Sequence, residues 1–155
     1  MGFSKYHRSV KKHVVTAMLM LLAMAIMVLP AFANSRSWGF TGVADGNVVD
    51  GAHNGQFHNM TVGTMILRGA IWATNTNPGI PVIGWTFRVY KDNAFGVPDT
   101  LVCEKAGVFP STTANQQVSF SRNCGSEVAG TYYLYIYRNN SDGRAVSGSG
   151  TLTTR

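Results

Sequence analysis

The sequence predicts an all-β fold, a single antiparallel β-sandwich of jelly-roll-like type with eight or nine strands, following a cleaved helical signal peptide. Three observations carry that expectation. Beyond residue 33, no stretch of ten or more residues spaces its apolar side chains as a helix would. Short alternating segments rich in β-branched and aromatic residues recur there instead, divided by Gly, Asn and Pro. The first 33 residues have a different character: a basic start (Lys5, Arg8, Lys11, Lys12), an apolar run from Val14 to Leu29, then Pro30-Ala31-Phe32-Ala33.

That order is the pattern of a secretory signal, with small residues placed for cleavage after Ala33. The competing reading is an uncleaved membrane anchor. Pro30 would end the helix, and no cluster of positive charge follows as a stop-transfer signal. The expected organisation is therefore a signal at residues 1–33 and a β-sandwich domain at 34–155, secreted and extracellular. The long basic start suits a Gram-positive bacterial exporter.

Removing the signal changes the charge balance. The whole chain carries 13 Lys and Arg against seven Asp and Glu, but residues 34–155 carry nine and seven, a net of +2. The basic pI of 9.6 owes much to the leader. Nucleic-acid binding is not expected, and contact with the membrane is expected only during export. Cys103 and Cys124 both lie in the domain, and an exported chain meets an oxidising compartment, so one disulfide between them is expected.

The strands follow in order. Residues 36–44 read as the first and 48–49 as a second, with Asp45-Gly46-Asn47 turning between them. Asp50-Gly51 and Asn54-Gly55 mark further turns. Residues 56–62 and 64–74 come next, and Pro78-Gly79 and Pro81 break the chain in the loop 75–81. Residues 82–91 alternate clearly, with Trp85, Phe87 and Val89 on one face and Thr86, Arg88 and Tyr90 on the other. A short strand at 100–104 carries Cys103, a strand at 117–122 alternates again, and a loop at 123–130 carries Cys124. The expected core is Leu67, Ile71, Trp85, Phe87, Val89, Val118, Phe120, Leu134 and Ile136. Glycines inside strands, Gly69, Gly84, Gly148 and Gly150, point to bulges or to close approach of another backbone.

Residues 131–138 (TYYLYIYR) have strong β propensity, Asn139-Asn140-Ser141-Asp142-Gly143 reads as a turn, and 144–154 returns, which predicts a hairpin. Its Gly130-Thr131-Tyr132-Tyr133 start and Gly148-Ser149-Gly150-Thr151-Leu152-Thr153 finish resemble the closing strands of bacterial prepeptidase C-terminal domains. That resemblance implies a β-sandwich of eight or nine strands and an accessory or binding role.

Chemistry is sparse. His53 and His58 are the imidazoles left in the domain, and they read as surface groups beside the Asn54-Gly55 turn, because a metal site needs three or four converging ligands. Asp45, Asn47 and Asp50 are the densest oxygen-ligand group and the candidates for calcium. Turn formation accounts for the same three residues, and no other metal site and no cofactor are expected. No serine sits in a Gly-x-Ser-x-Gly elbow and no carboxylate pair opposes another, so no enzyme is expected.

The aromatic residues carry the functional expectation. With Tyr132, Leu134 and Ile136 inward, Tyr133, Tyr135 and Tyr137 line an outer sheet face, where flat rings stack on sugars or other polymers. Arg68 and Trp72, and likewise Arg88 and Tyr90, are expected to extend that surface. The alternative use of such tyrosines is cross-strand pairing on a solvated sheet. The expected function is a non-catalytic binding module for extracellular polysaccharide or cell-surface polymer. The second class is a secreted effector, an enzyme inhibitor or antimicrobial protein, acting through the loops 75–81 and 93–98.

Overall fold

The computed structural model describes residues 33–44 and 48–155. The expected signal, apart from Ala33, and the calcium candidates Asp45 and Asn47 lie outside the described residues. In chain order the strands are β1 (Asn34–Val43), β2 (Val49–Asp50), β3 (His58–Met60), β4 (Gly63–Ala73), β5 (Trp85–Lys91), β6 (Thr100–Val108), β7 (Val118–Glu127), β8 (Gly130–Tyr137) and β9 (Val146–Thr154). A single helical turn, Gly51–Asn54, interrupts β2 and β3, where turns alone are expected from the sequence. Asp50 caps it, accepting from the Ala52 N–H at 2.9 Å. Gly55 closes it in the left-handed region at φ 72°, which suits a residue without a Cβ.

One sheet runs β1-β9-β4-β7, and the other runs β8-β5-β6 with β2 and β3 both paired to the outer side of β8. All pairings are antiparallel. Each sheet interleaves strands from the two ends of the chain, which is the winding of a jelly roll. Consecutive strands change sheet, except β2 and β3, which both pair with β8, and β5 and β6, which pair directly as a hairpin.

That winding corrects the C-terminal hairpin expected over residues 130–154. β8 pairs with β5, β2 and β3, whereas β9 pairs with β1 and β4 in the opposite sheet. The connection between them is no tight turn. It is built around a buried ion cluster, in which Asp142 pairs with both Arg138 and Arg144. The cluster also seizes the β4–β5 loop: Asp142 accepts from the Ile83 N–H at 3.0 Å, and Arg144 Nη2 donates to the carbonyls of Asn77 at 2.8 Å and Ile80 at 2.9 Å.

Between the sheets, Leu67, Ile71, Trp85, Phe87, Val89, Leu134 and Ile136 are buried as expected, joined by Trp38, Met65 and Leu152. Phe120 is partly buried against Phe87, centroids 4.4 Å apart, while Val118 is half-buried at the margin. The strand glycines make room for rings as well as backbone. A Cβ on Gly148 would lie 2.7 Å from Phe40 Cε1, and one on Gly69 would meet the indole of Trp38 and lie 2.8 Å from the Ser149 carbonyl. Trp38 and Phe40 thus pack onto a floor cleared of side chains.

The two edges of the sandwich differ. At one, β6 and β7 are joined by the Cys103–Cys124 disulfide, Cα atoms 5.3 Å apart. Both strands run further than the sequence suggests, so Cys124 sits within β7 and not in a loop. At the other edge, β1 faces β2 and β3 across a gap bridged by Asn34 Nδ2 and Arg36 Nε, which donate to the Asn59 carbonyl at 2.9 and 3.4 Å.

Candidate binding face

Alternation along β8 puts Tyr132, Leu134 and Ile136 inside and turns Tyr133, Tyr135 and Tyr137 outward. The register with β5 sets Tyr90 opposite Tyr133, Arg88 opposite Tyr135 and Thr86 opposite Tyr137. The outer face of this sheet therefore collects five of the seven residues expected to form the site. Tyr90 stacks on Tyr133 with centroids 5.5 Å apart and planes 13° from parallel. Tyr135 meets Tyr90 edge-on at 6.4 Å and Tyr137 at 5.4 Å. Arg88 Cζ lies 5.1 Å from the Tyr137 centroid, and its Nε donates to Glu104 Oε2 at 2.6 Å. Phe57 adds its edge to Tyr133 at 6.0 Å. Glu104 and Phe57 escaped the sequence reading, Phe57 because an apolar residue next to a turn has no period to assign it a face.

The strip is not uniformly open. Tyr133 is only 7% exposed, beneath Phe57 and the helical turn, whose Gly51 approaches it so closely that a Cβ there would lie 3.1 Å from the Tyr133 Cβ. Its hydroxyl donates to Asp99 Oδ2 at 2.8 Å, and burial, followed by that bond, pushes the phenol well above its ordinary pKa. The expectation of three equally exposed tyrosines is thereby corrected: Tyr133 is an anchor. The half-buried Tyr90, Tyr135 and Tyr137 form the accessible platform.

Arg68 and Trp72 are not brought to this face. Both lie on β4, in the other sheet, Arg68 opposite Thr151 and Trp72 opposite Ser147. The core separates them from the tyrosines. A period of two assigns a residue to a face of its strand but does not say which sheet the strand joins.

Of the calcium candidates, the described Asp50 is occupied: it caps the helical turn and lies 2.7 Å from His53 Nδ1. Among the described residues, no group of three or more His, Cys, Asp or Glu converges as a metal site would. His53 is exposed, as expected. His58 is not: it is 6% exposed, facing inward on β3, and burial together with the Arg36 charge lowers its pKa. The overlooked signal was parity, since His58 and Met60 alternate around Asn59 on one short strand.

A cavity of about 650 Å³ opens at the β1–β2 edge, lined among others by Phe40, Val43, Val49, Asp50, Gln56 and Tyr135. The platform itself offers ring faces, phenol groups and one guanidinium, which suits stacking and hydrogen bonding to a ligand.

No protein-family model matches the chain, and no curated protein matches it. Among solved structures, it is similar to the carbohydrate-binding module CBM6cm-2 from Cellvibrio mixtus lichenase 5A, solved in complex with cellotriose. The identity is 10% and the TM-score 0.45, covering 81% of this chain and 88% of that one. It is also similar to the K2 cleaved adhesin domain of Lys-gingipain (15% identity, TM-score 0.40, covering 81% and 90%). A third is the VP2 subviral particle of infectious bursal disease virus (14% identity, TM-score 0.42), where the match covers 81% of this chain and 33% of that one. The architecture is carried by the strand order and register given above.

Proposed function

We propose that this protein is a secreted, non-catalytic binding module for extracellular or cell-surface polysaccharide, using Tyr90, Tyr135 and Tyr137 as a stacking platform and Arg88 as a polar contact beside it. The observation that carries the reading is the continuity of the strip. Each ring is held by the next, from Phe57 through Tyr133, Tyr90 and Tyr135 to Tyr137, so a ligand meets side chains that are already ordered. Export through a cleaved leader ending at Ala33 belongs to the same proposal. The resemblance of residues 130–154 to prepeptidase C-terminal domains adds an accessory role to it.

Retention on a panel of insoluble polysaccharides tests the proposal, with Tyr135→Ala and Tyr137→Ala as paired variants. Removing one stacked ring should weaken retention by roughly twofold to tenfold, the worth of one aromatic pair. Absence of retention of the wild type on every polymer, or undiminished retention of both variants, would overturn it.

One observation favours the second reading, an effector acting through loops. Phe95 is fully exposed, at 108%, on a loop held firmly by Asn93, whose Nδ2 donates to the Pro98 carbonyl at 2.7 Å and to Thr100 Oγ1 at 2.9 Å. Inhibitory or antimicrobial activity abolished by Phe95→Ser, with polysaccharide retention absent, would favour that reading over the first.

A further inference from the structure

The open edge of the sandwich holds two polar side chains where apolar ones are the rule. Arg36 on β1 stands directly opposite Leu152 of β9, which is fully buried, and directly opposed residues of an antiparallel pair point to the same face. Arg36 therefore shares the inner register of β1 with Trp38 and Phe40, but near the end of this edge strand its side chain is exposed and stands at the rim. On the facing sheet, His58 stands opposite Tyr132, itself at 0% exposure. A guanidinium and an imidazole thus approach each other from the inner faces of two sheets. Together with Gln56, Phe57 and Trp38 they line a cavity of about 560 Å³, a volume within the usual range of small-ligand sites. It shares Gly39 and Gln56 with the cavity beside Tyr135.

Arg36 reaches the Asn59 carbonyl at 3.4 Å, and among the described residues no carboxylate pairs with it. Neither ring nitrogen of His58 has a hydrogen-bond partner among the described residues. Burial and then the Arg36 charge lower the His58 pKa, so the ring stays neutral at pH 7 with one N–H to donate. An inward charge on an edge strand can serve simply to deter strand pairing. That role accounts for Arg36 alone and leaves the buried imidazole opposite it without a purpose.

We propose that this cavity is a second binding site, specific for a carboxylate-bearing sugar such as a uronic acid unit of an acidic polysaccharide. Arg36 pairs with the carboxylate, His58 donates to it or to a ring hydroxyl, Phe57 covers a sugar face and Gln56 takes a hydroxyl. An open cavity walled by a ring and an amide offers a stacking face and a hydroxyl partner, which favours a pyranose over an extended acidic peptide. The site adjoins the tyrosine strip at Phe57 but is lined by none of Tyr90, Tyr135 and Tyr137.

Calorimetric titration with oligogalacturonate tests it, using cello-oligosaccharide of the same length as the neutral probe and poly-glutamate as the peptide probe. Oligogalacturonate should bind at least tenfold more tightly than either, and its addition should shift the His58 imidazole resonances. Arg36→Gln should lose about tenfold to a hundredfold in affinity, the worth of a charged hydrogen bond, and Arg36→Lys should recover part of it. Arg122→Gln, at an exposed position on β7, should change nothing. Thermal melts establish that each variant is folded. Equal binding by Arg36→Gln and wild type, an equal loss in Arg122→Gln, unmoved His58 resonances, or tighter binding of poly-glutamate would each overturn the proposal.

Discussion

Replacing Asp142 should unseat the connection that carries the chain from one sheet to the other. Its carboxylate accepts from the Ile83 N–H at 3.0 Å, the Arg144 N–H at 3.1 Å, Arg144 Nη1 at 3.0 Å and Arg138 Nη1. The three side chains are 0%, 1% and 2% exposed for Asp142, Arg138 and Arg144, so the Asp142 carboxylate meets both guanidinium groups away from water. Asp142→Asn keeps the shape but removes the charge and turns an NH₂ towards these donors. Removing one partner of a buried pair costs about 3–5 kcal/mol. For a domain of this size that corresponds to a fall in Tm of roughly 10–20 °C. Urea titrations of the oxidised protein at pH 7 would show it as a lower midpoint at unchanged slope.

The pH dependence gives an independent check. Burial alone would raise the Asp142 pKa, but hydrogen bonds from Ile83 and Arg144 and the Arg138 charge outweigh it, and the folded value lies below the ordinary one. The carboxylate therefore contributes its stability in full well above the unfolded value, near 4, and loses it as the pH falls through the folded value. The gap between wild type and Asp142→Asn should narrow between pH 7 and pH 3. A loss under about 1 kcal/mol at pH 7, or a gap that does not narrow, would refute the account of the cluster as a mutually dependent ion set.

Two further outcomes test the packing. Gly150→Ala should destabilise the domain by about 1–3 kcal/mol or leave it insoluble. The added Cβ would collide with the Arg68 carbonyl oxygen and lie 2.5 Å from Trp38 Cζ2, and a melt indistinguishable from wild type would contradict that. The double variant Cys103→Ala, Cys124→Ala should lose about 3 kcal/mol on the chain-entropy model for a 21-residue separation. Urea midpoints should then coincide for this variant and the reduced wild type.

Local alternation was readable from the sequence because it needs only neighbours. Trp85, Phe87 and Val89 face inward, and Tyr132, Leu134 and Ile136 do the same, as the period of two demands. Sheet membership is a different kind of information. β1 finds its partner β9 more than a hundred residues away, Asn34 opposite Thr154, and nothing within either strand encodes that choice. This is why the C-terminal hairpin was wrong although both of its strands were right. Arg68 and Trp72 went to the wrong surface for the same reason.

The polar groups at inward register were hidden by a different cause. Composition places Arg, Asp and His on the surface by default, and parity was the available counter-signal: Arg36 lies two residues before Trp38, and His58 two before Met60. The structure handles Arg138 with Arg144 and Arg36 with His58 in opposite ways. At Arg138 and Arg144 it supplies Asp142, with every acceptor position of the carboxylate in use. At Arg36 and His58 it supplies a cavity and no carboxylate among the described residues. A fold that sets Asp142 between Arg138 and Arg144, and among its described residues sets no carboxylate beside the exposed Arg36 and the buried His58 on its open edge, leaves the cavity there accessible to a carboxylate brought from outside.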